Sequence, residues 1–71
     1  MMNGHECRHA LNDVGLSQVD AAKFFGVADR TVRYWLAETR EVPVAVVMLL
    51  RVMLHFHLSP EDIKRIARVA P

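Results

Sequence analysis

The segment from Gln18 to Leu36 places small and β-branched residues at a spacing that few folds accept. Ala22 lies four residues before Gly26, and Val32 follows six residues after that glycine. Glycine tolerates the positive φ that a tight turn between two helices requires. A residue as small as alanine lets two helix backbones approach each other, whereas a larger side chain would clash there. The spacing therefore predicts two short helices that cross at close range on either side of Gly26.

Capping and turn signals divide the rest of the chain in the same way. Ser17 is placed to cap the second helix, and Gly26 is placed to end it. Ser59 and Pro60, followed by two acidic residues, are typical of a further helix start. The expected helices run over about 5–14, 18–25, 29–38, 44–57 and 60–69. We therefore expect an all-α fold, a compact bundle of five helices formed by residues 1–71 as a single domain.

The stretch from Val42 to Leu58 contains 13 apolar residues among 17. Pro43 is expected in the first turn of the fourth helix, where its missing N–H costs nothing. A membrane span is not expected, because Arg51 and two histidines interrupt the run and a bilayer needs about 20 residues. A surface helix normally carries apolar residues on one face only, but here they nearly surround the helix. We therefore expect the fifth helix to cover one further face, and a second copy of the chain, in a homodimer, to cover part of the rest.

Composition excludes several classes of protein. Hydrophobic residues make up 52% of the chain, with only three glycines and three prolines, which argues against disorder. The single cysteine, Cys7, cannot form an internal disulfide, and the N-terminus lacks the pattern of a signal peptide. Both observations favour the reducing environment of the cytoplasm.

Catalysis, cofactor binding and metal binding are not expected. The sequence offers no nucleophile–base pair and no phosphate-binding glycine loop, so an enzyme is not predicted. His5 and His9 are spaced i, i+4, but Cys7 points about 200° away from His5 on a regular helix. His55 and His57 are likewise two residues apart and point away from each other. The histidines are therefore interpreted as surface or boundary residues.

The net charge of +1 is a weak indication of a nucleic-acid partner, but the distribution of charge is more informative. Between Lys23 and Arg40 there are four basic residues and two acidic ones. This segment can therefore present a local positive surface on a nearly neutral chain.

The third predicted helix carries two chemically different faces. Val32, Trp35 and Leu36 are spaced i, i+3, i+4 and are expected to share a buried face. The opposite face carries Arg30, Arg33, Tyr34 and Ala37. An α-helix fits the major groove of double-stranded DNA, where arginine can donate two hydrogen bonds to guanine. This helix is therefore the predicted reader of a duplex.

The segment QVDAAKFFGVADRTVRYWL resembles the helix-turn-helix of the Cro/repressor-like (XRE-type) family of phage and bacterial regulators. The resemblance extends over most of the chain, with the motif at residues 18–37, and implies a lambda-repressor-like fold. It implies that Gln18 binds a phosphate of the DNA backbone. It also implies that residues at the start and outer face of the third helix contact bases or phosphates, and that the loop carrying Arg40 contacts the DNA backbone. The expected DNA contacts are Ser17, Gln18, Ala28, Asp29, Arg30, Thr31, Arg33, Tyr34 and Arg40.

Two residues depart from the pattern of that family. Ala28 stands where a serine or threonine often caps the recognition helix, so either Asp29 caps instead or the first turn is frayed without DNA. Phe24 stands at a position that is usually exposed and polar. Its ring is expected either to cover the edge of the core or to serve a partner surface.

Together these features predict a homodimeric, sequence-specific regulator, a repressor on an inverted-repeat operator. One alternative is an antitoxin-like or other protein-interaction module, with a toxin as an example of its partner. A second alternative is a MerR-like DNA-binding domain, because Arg30-Thr31-Val32-Arg33-Tyr34 echoes the T-[VIL]-R-Y-[YW] motif of that family. MerR-like domains follow this motif with a β-wing, whereas the apolar run after Pro43 leaves no strands for one.

Overall fold

The computed structural model describes residues 2–68. Within that range the chain is all-α, which confirms the predicted class. Its five helices are α1 (Gly4–Asp13), α2 (Gln18–Phe25), α3 (Asp29–Leu36), α4 (Val44–Phe56) and α5 (Pro60–Ala67). In residues 2–68 no single helix is both long enough and apolar enough to be a membrane span. Taken together, α4 and α5 have the required length and composition, but there is a bend of 108° between them.

The predicted signals at the ends of α2 and the start of α5 are confirmed. The Ser17 hydroxyl accepts a hydrogen bond from the Asp20 N–H at 3.0 Å, and Gly26 ends α2 with a φ of +71°. Ser59 and Asp62 exchange two bonds at the start of α5, of which the Ser59 N–H to the Asp62 carboxylate is 2.9 Å long. That bond lowers the pKa of Asp62. This cap therefore stabilises α5 above the ordinary carboxyl pKa, and its contribution is lost as the pH falls.

Two helix boundaries differ from prediction in the middle of the chain. The third helix ends at Leu36 rather than at Glu38, because Glu38 adopts a left-handed backbone with a φ of +62°. Pro43 lies just before α4 rather than in its first turn, since its ψ of 144° is extended. At both boundaries the flanking residue has non-helical backbone angles. Each helix is therefore shorter than the run of residues that the sequence pattern assigns to it.

The two outer helices also differ slightly from prediction. The first helix begins one residue early, because Asn3 and Glu6 form a capping box in which the Asn3 side chain accepts from the Glu6 N–H at 2.8 Å. The fifth helix ends at Ala67, and Val69, the last residue of its predicted range, lies outside the described residues.

The first helix is the centre of the packing, because α3 and α4 each pack against it rather than closely against each other. Leu50 and Met53 are the buried residues of α4, and both are fully inaccessible. Burial also raises the pKa of the Cys7 thiol, which lies inside the core. The core side chains are Cys7, Ala10, Leu11, Val14, Leu16, Ala21, Ala22, Val32, Trp35, Val42, Leu50 and Met53.

The start of α1 and the end of α3 touch through their backbones. Gly4 is buried, and a Cβ atom at that position would overlap the carbonyl oxygen of Leu36 and lie 2.8 Å from Cγ of Glu38. The absence of a side chain at Gly4 is therefore what lets the two helix ends approach.

One side of α4 is left uncovered. Val44, Met48, Val52 and Phe56 are 61%, 62%, 45% and 64% exposed. The fifth helix leaves this side open, and cover by a second copy stays a prediction for it. Instead, α5 contributes Ile63 to the edge of the core.

Candidate nucleic-acid interface

The third helix is held in place by its inner face, as predicted for Val32 and Trp35, whereas Leu36 is only half-buried at the edge of the core. Val32 is fully buried and Trp35 is 3% exposed. Phe25, the last residue of α2, packs edge-on against Trp35 with 6.1 Å between the ring centroids. Because α2 and α3 share these contacts, the orientation of α3 is fixed by the core rather than by its outer side chains.

The outer face of α3 carries two arginines whose guanidinium groups have no carboxylate partner among residues 2–68. Arg30 and Arg33 are both exposed, as are Asp29 and Ala37 on the same side of the helix. Within residues 2–68 the ion pairs are both in α5, where Lys64 pairs with Glu61 and Arg65 with Asp62 at 3.5 Å and 3.4 Å. The donors of Arg30 and Arg33 are therefore available to an acceptor from outside the chain.

The first turn of α3 has no side-chain cap. Ala28 occupies the N-cap position with an extended backbone, and Asp29 is the first helical residue. Of the two alternatives posed by the sequence, capping by Asp29 is therefore excluded. Its exposed carboxylate still favours the positive end of the helix dipole.

We expect Ala28→Ser to raise the free energy of unfolding by about 1 kcal/mol, because a serine hydroxyl can accept from an orphan N–H of α3. The φ of −72° and ψ of 151° at Ala28 already suit an N-cap, so the substitution requires no backbone change. Urea denaturation followed by circular dichroism measures the effect. Ala28→Val is the control, because valine lacks an acceptor, and an equal gain with valine would contradict the capping explanation.

The start of α2 offers a second set of polar groups. The Ser17 hydroxyl accepts from the Asp20 N–H, which leaves its own O–H free to donate to an acceptor outside the chain. Gln18 is the first residue of α2 and is half-buried. Thr31, in α3, is also half-buried, so its hydroxyl is less accessible than the guanidinium groups beside it.

Tyr34 lies at the margin of the outer face rather than at its centre. Its side chain is half-buried, and its ring lies 5.0 Å from the guanidinium carbon of Arg40. This is a cation–π distance, so the ring holds Arg40 beside α3. Tyr34 and Arg40, predicted as separate contacts, therefore form one unit.

The loop after α3 is fastened to a single backbone atom. The carbonyl oxygen of Tyr34 accepts from the N–H groups of Thr39 and Arg40 at 3.0 Å and 3.3 Å, and from the Thr39 hydroxyl at 3.2 Å. Thr39 was not among the predicted site residues. No local signal identifies it, because the turn before it uses Glu38 rather than a glycine in the left-handed region.

Phe24 covers the edge of the core, which was one of its two predicted roles. Its ring is half-buried, packs against the core and meets Phe25 edge-on at 5.1 Å between centroids.

In α1, His5 and His9 are exposed with ring centroids 4.5 Å apart, whereas Cys7 is fully buried. The three residues therefore do not share a face, as the helical geometry predicted.

The predicted site residues thus fall into three groups. Ala28, Asp29, Arg30, Thr31 and Arg33 belong to the start and outer side of α3, where Ala28 is the N-cap and Thr31 is half-buried. Tyr34 and Arg40 form the margin of that face, and Ser17 and Gln18 begin the neighbouring helix. Comparison of the chain with protein-family models, curated proteins and solved structures gives no significant match.

Proposed function

We propose that this protein is a sequence-specific double-stranded DNA-binding regulator, a repressor of the Cro/repressor-like kind, which inserts α3 into the major groove. The observation that carries the proposal is the pair of exposed, unpaired arginines on the outer face of a helix whose inner face is locked into the core. An α-helix fits this groove, and arginine is the commonest specific reader of guanine there.

In this proposal the residues divide into readers and positioning residues. Arg30 and Arg33 donate to base edges, while Asp29 can accept from the amino group of cytosine. Ser17, Gln18 and Arg40 contact backbone phosphates, which set the register of the protein on the duplex without reading sequence. The uncapped N–H groups of α3 also face a position that suits a phosphate, because a helix N-terminus attracts anions.

A homodimer is part of the proposal. Two copies related by a two-fold axis place their recognition helices in successive major grooves, about 34 Å apart. Selection of bound DNA from a random pool tests this directly. An inverted-repeat consensus with half-sites about 10 base pairs apart supports the dimer, and a single asymmetric half-site contradicts it.

We expect Arg33→Ala and Arg30→Ala each to weaken binding to the selected duplex by about 1–3 kcal/mol and to relax the preference at one base pair. Fluorescence anisotropy with the consensus and with single-base variants measures both effects. Arg51→Ala is the matched control, because it removes the same charge from an exposed position on α4. Unchanged affinity and selectivity in both α3 variants would refute α3 as the reader.

Salt dependence separates phosphate contacts from base contacts. Affinity should fall steeply with salt, and each phosphate contact contributes about 0.9 to the slope of log K against log[salt]. Arg40→Ala is therefore expected to reduce this slope by about one while leaving the base preference unchanged. A slope near zero in the unaltered protein would favour the second candidate function.

That second candidate is a protein-interaction module of the antitoxin type, and the uncovered apolar side of α4 is the observation that favours it. It does not account for the unpaired arginines of α3. A MerR-like arrangement is less well supported, because α4 follows the loop at the point where that family carries a β-wing.

A further inference from the structure

Four apolar residues of α4 lie in one line at the edge of its exposed side. They are spaced by four, three and four residues, and at 100° per residue they lie within about 60° of one another around the helix axis. The α4 seam consists of Ala45, Leu49, Val52 and Phe56. Ala45, Val52 and Phe56 are exposed and Leu49 is half-buried. A 4-3-4 spacing of apolar residues is the pattern with which one helix packs along another.

We propose that the α4 seam is the surface on which a second copy of this chain docks, with the two α4 helices antiparallel. The inference rests on the proposed homodimeric regulator and deepens it by assigning the interface and its register. Because 4-3-4 reads the same in both directions, the seam also matches itself when one helix is reversed, and side-chain size then decides between the two orientations. Two-fold symmetry requires this kind of self-complementary surface.

Side-chain size is also complementary in the reversed register. Ala45 opposes Phe56 of the second copy, and Leu49 opposes Val52 of the second copy. The smallest side chain thus faces the largest, as closely packed helices require. A parallel arrangement would place the two exposed Phe56 rings together at one end and two alanines at the other, leaving a gap.

Charge favours a second copy over a charged partner. Arg51 and His55 are the ionisable residues of α4. Around the helix axis both lie farther from the seam than Met48 does, so neither belongs to the seam. The seam itself therefore offers nothing that would select an acidic or a basic peptide. Because α3 and α4 pack against α1 rather than closely against each other, the seam residues of α4 are not occupied by α3.

The size of the seam fixes the strength of the interaction. A helix of 13 residues is about 20 Å long, so one pair of such helices lies at the small end of specific interfaces. We therefore expect a reversible dimer with a Kd on the order of 1–100 μM in the absence of DNA. An operator with two half-sites would then hold the two copies together at lower concentration.

Sedimentation equilibrium of the DNA-free protein over a concentration series tests the interface. We expect Val52→Lys and Phe56→Lys each to raise the dimer Kd by at least about tenfold, because each buries an unpaired charge in the seam. Val44→Lys is the matched control. Val44 is 61% exposed on the same helix but lies about 110° from the middle of the seam, so its substitution should leave the Kd nearly unchanged.

Cross-linking tests the register independently of any stability effect. A mixture of Ala45→Cys protein and Phe56→Cys protein should form a mixed covalent dimer under mild oxidation or with a short bifunctional thiol reagent. Neither variant alone should do so, because residues 45 and 56 of identical helices lie about 16 Å apart along the axis. The unaltered protein is the control for Cys7, which is fully buried.

Three results would overturn the proposal: a monomer at millimolar concentration, equal dissociation by Val44→Lys and Val52→Lys, or self-linking of Ala45→Cys protein. Circular dichroism checks that each variant is folded, and if a lysine variant is not, the cross-linking experiment decides. Failure here is distinguishable from failure of the proposed function. A half-site duplex tests α3 without the dimer, and Phe56→Lys protein should bind it as the unaltered protein does.

Discussion

Trp35→Ala is expected to lower the free energy of unfolding by about 3–5 kcal/mol, the largest loss of any single substitution considered for this chain. The indole is 3% exposed and packs against Phe25, so its removal leaves a cavity between α2 and α3. Small folded chains have a total stability at or below about 5–10 kcal/mol, so this one change removes most of it. Urea denaturation monitored by circular dichroism measures the loss.

Tyr34→Ala provides the matched control, because it removes the neighbouring aromatic ring from a half-buried position at the margin of the same helix. We expect it to cost clearly less than Trp35→Ala. If the two variants unfold at the same urea concentration, the inner face of α3 is not what holds the helix.

Gly4→Ala is expected to destabilise the protein by about 1–3 kcal/mol, although alanine favours a helix over glycine by up to about 1 kcal/mol. The added Cβ would overlap the carbonyl oxygen of Leu36, which is a backbone atom that no rotamer change can move aside. The start of α1 or the end of α3 must therefore shift. Thermal unfolding measures the loss, with His5→Ala as the exposed control in the same turn.

A stabilising effect of Gly4→Ala would show that the two helix ends separate easily. In that case helix propensity would outweigh the contact. An effect confined to stability, with unchanged affinity for DNA in the folded protein, would show that the displacement does not reach the outer face of α3.

The parts of the fold that depend on local signals were predictable from the sequence. Ser17 and Gly26 bound α2 as expected, because a hydroxyl beside orphan N–H groups and a residue free to adopt positive φ act within one turn of the chain. The buried face of α3 also followed from spacing, since Val32 and Trp35 repeat with the helical period. The capping box of Asn3 and Glu6 is a local signal of the same kind, because the two residues lie three positions apart at the start of α1.

Features that depend on tertiary packing were not predictable in the same way. Glu38 ends α3 in a left-handed conformation that sequence propensity assigns mainly to glycine. The contact between Arg40 and the ring of Tyr34 depends on how the loop returns to the helix, which spacing does not encode. Likewise, an apolar side of α4 signals a need for cover, but only the packing shows that α5 leaves Phe56 exposed.

The three hydrogen bonds that converge on the carbonyl oxygen of Tyr34 have an evolutionary consequence. They anchor the loop to an atom that every amino acid possesses, so the path of the chain up to Arg40 does not depend on which side chain stands at position 34. New contacts at that position can therefore be acquired one substitution at a time while the loop keeps its course. The protein thus separates a side chain that is free to change from a backbone path that persists.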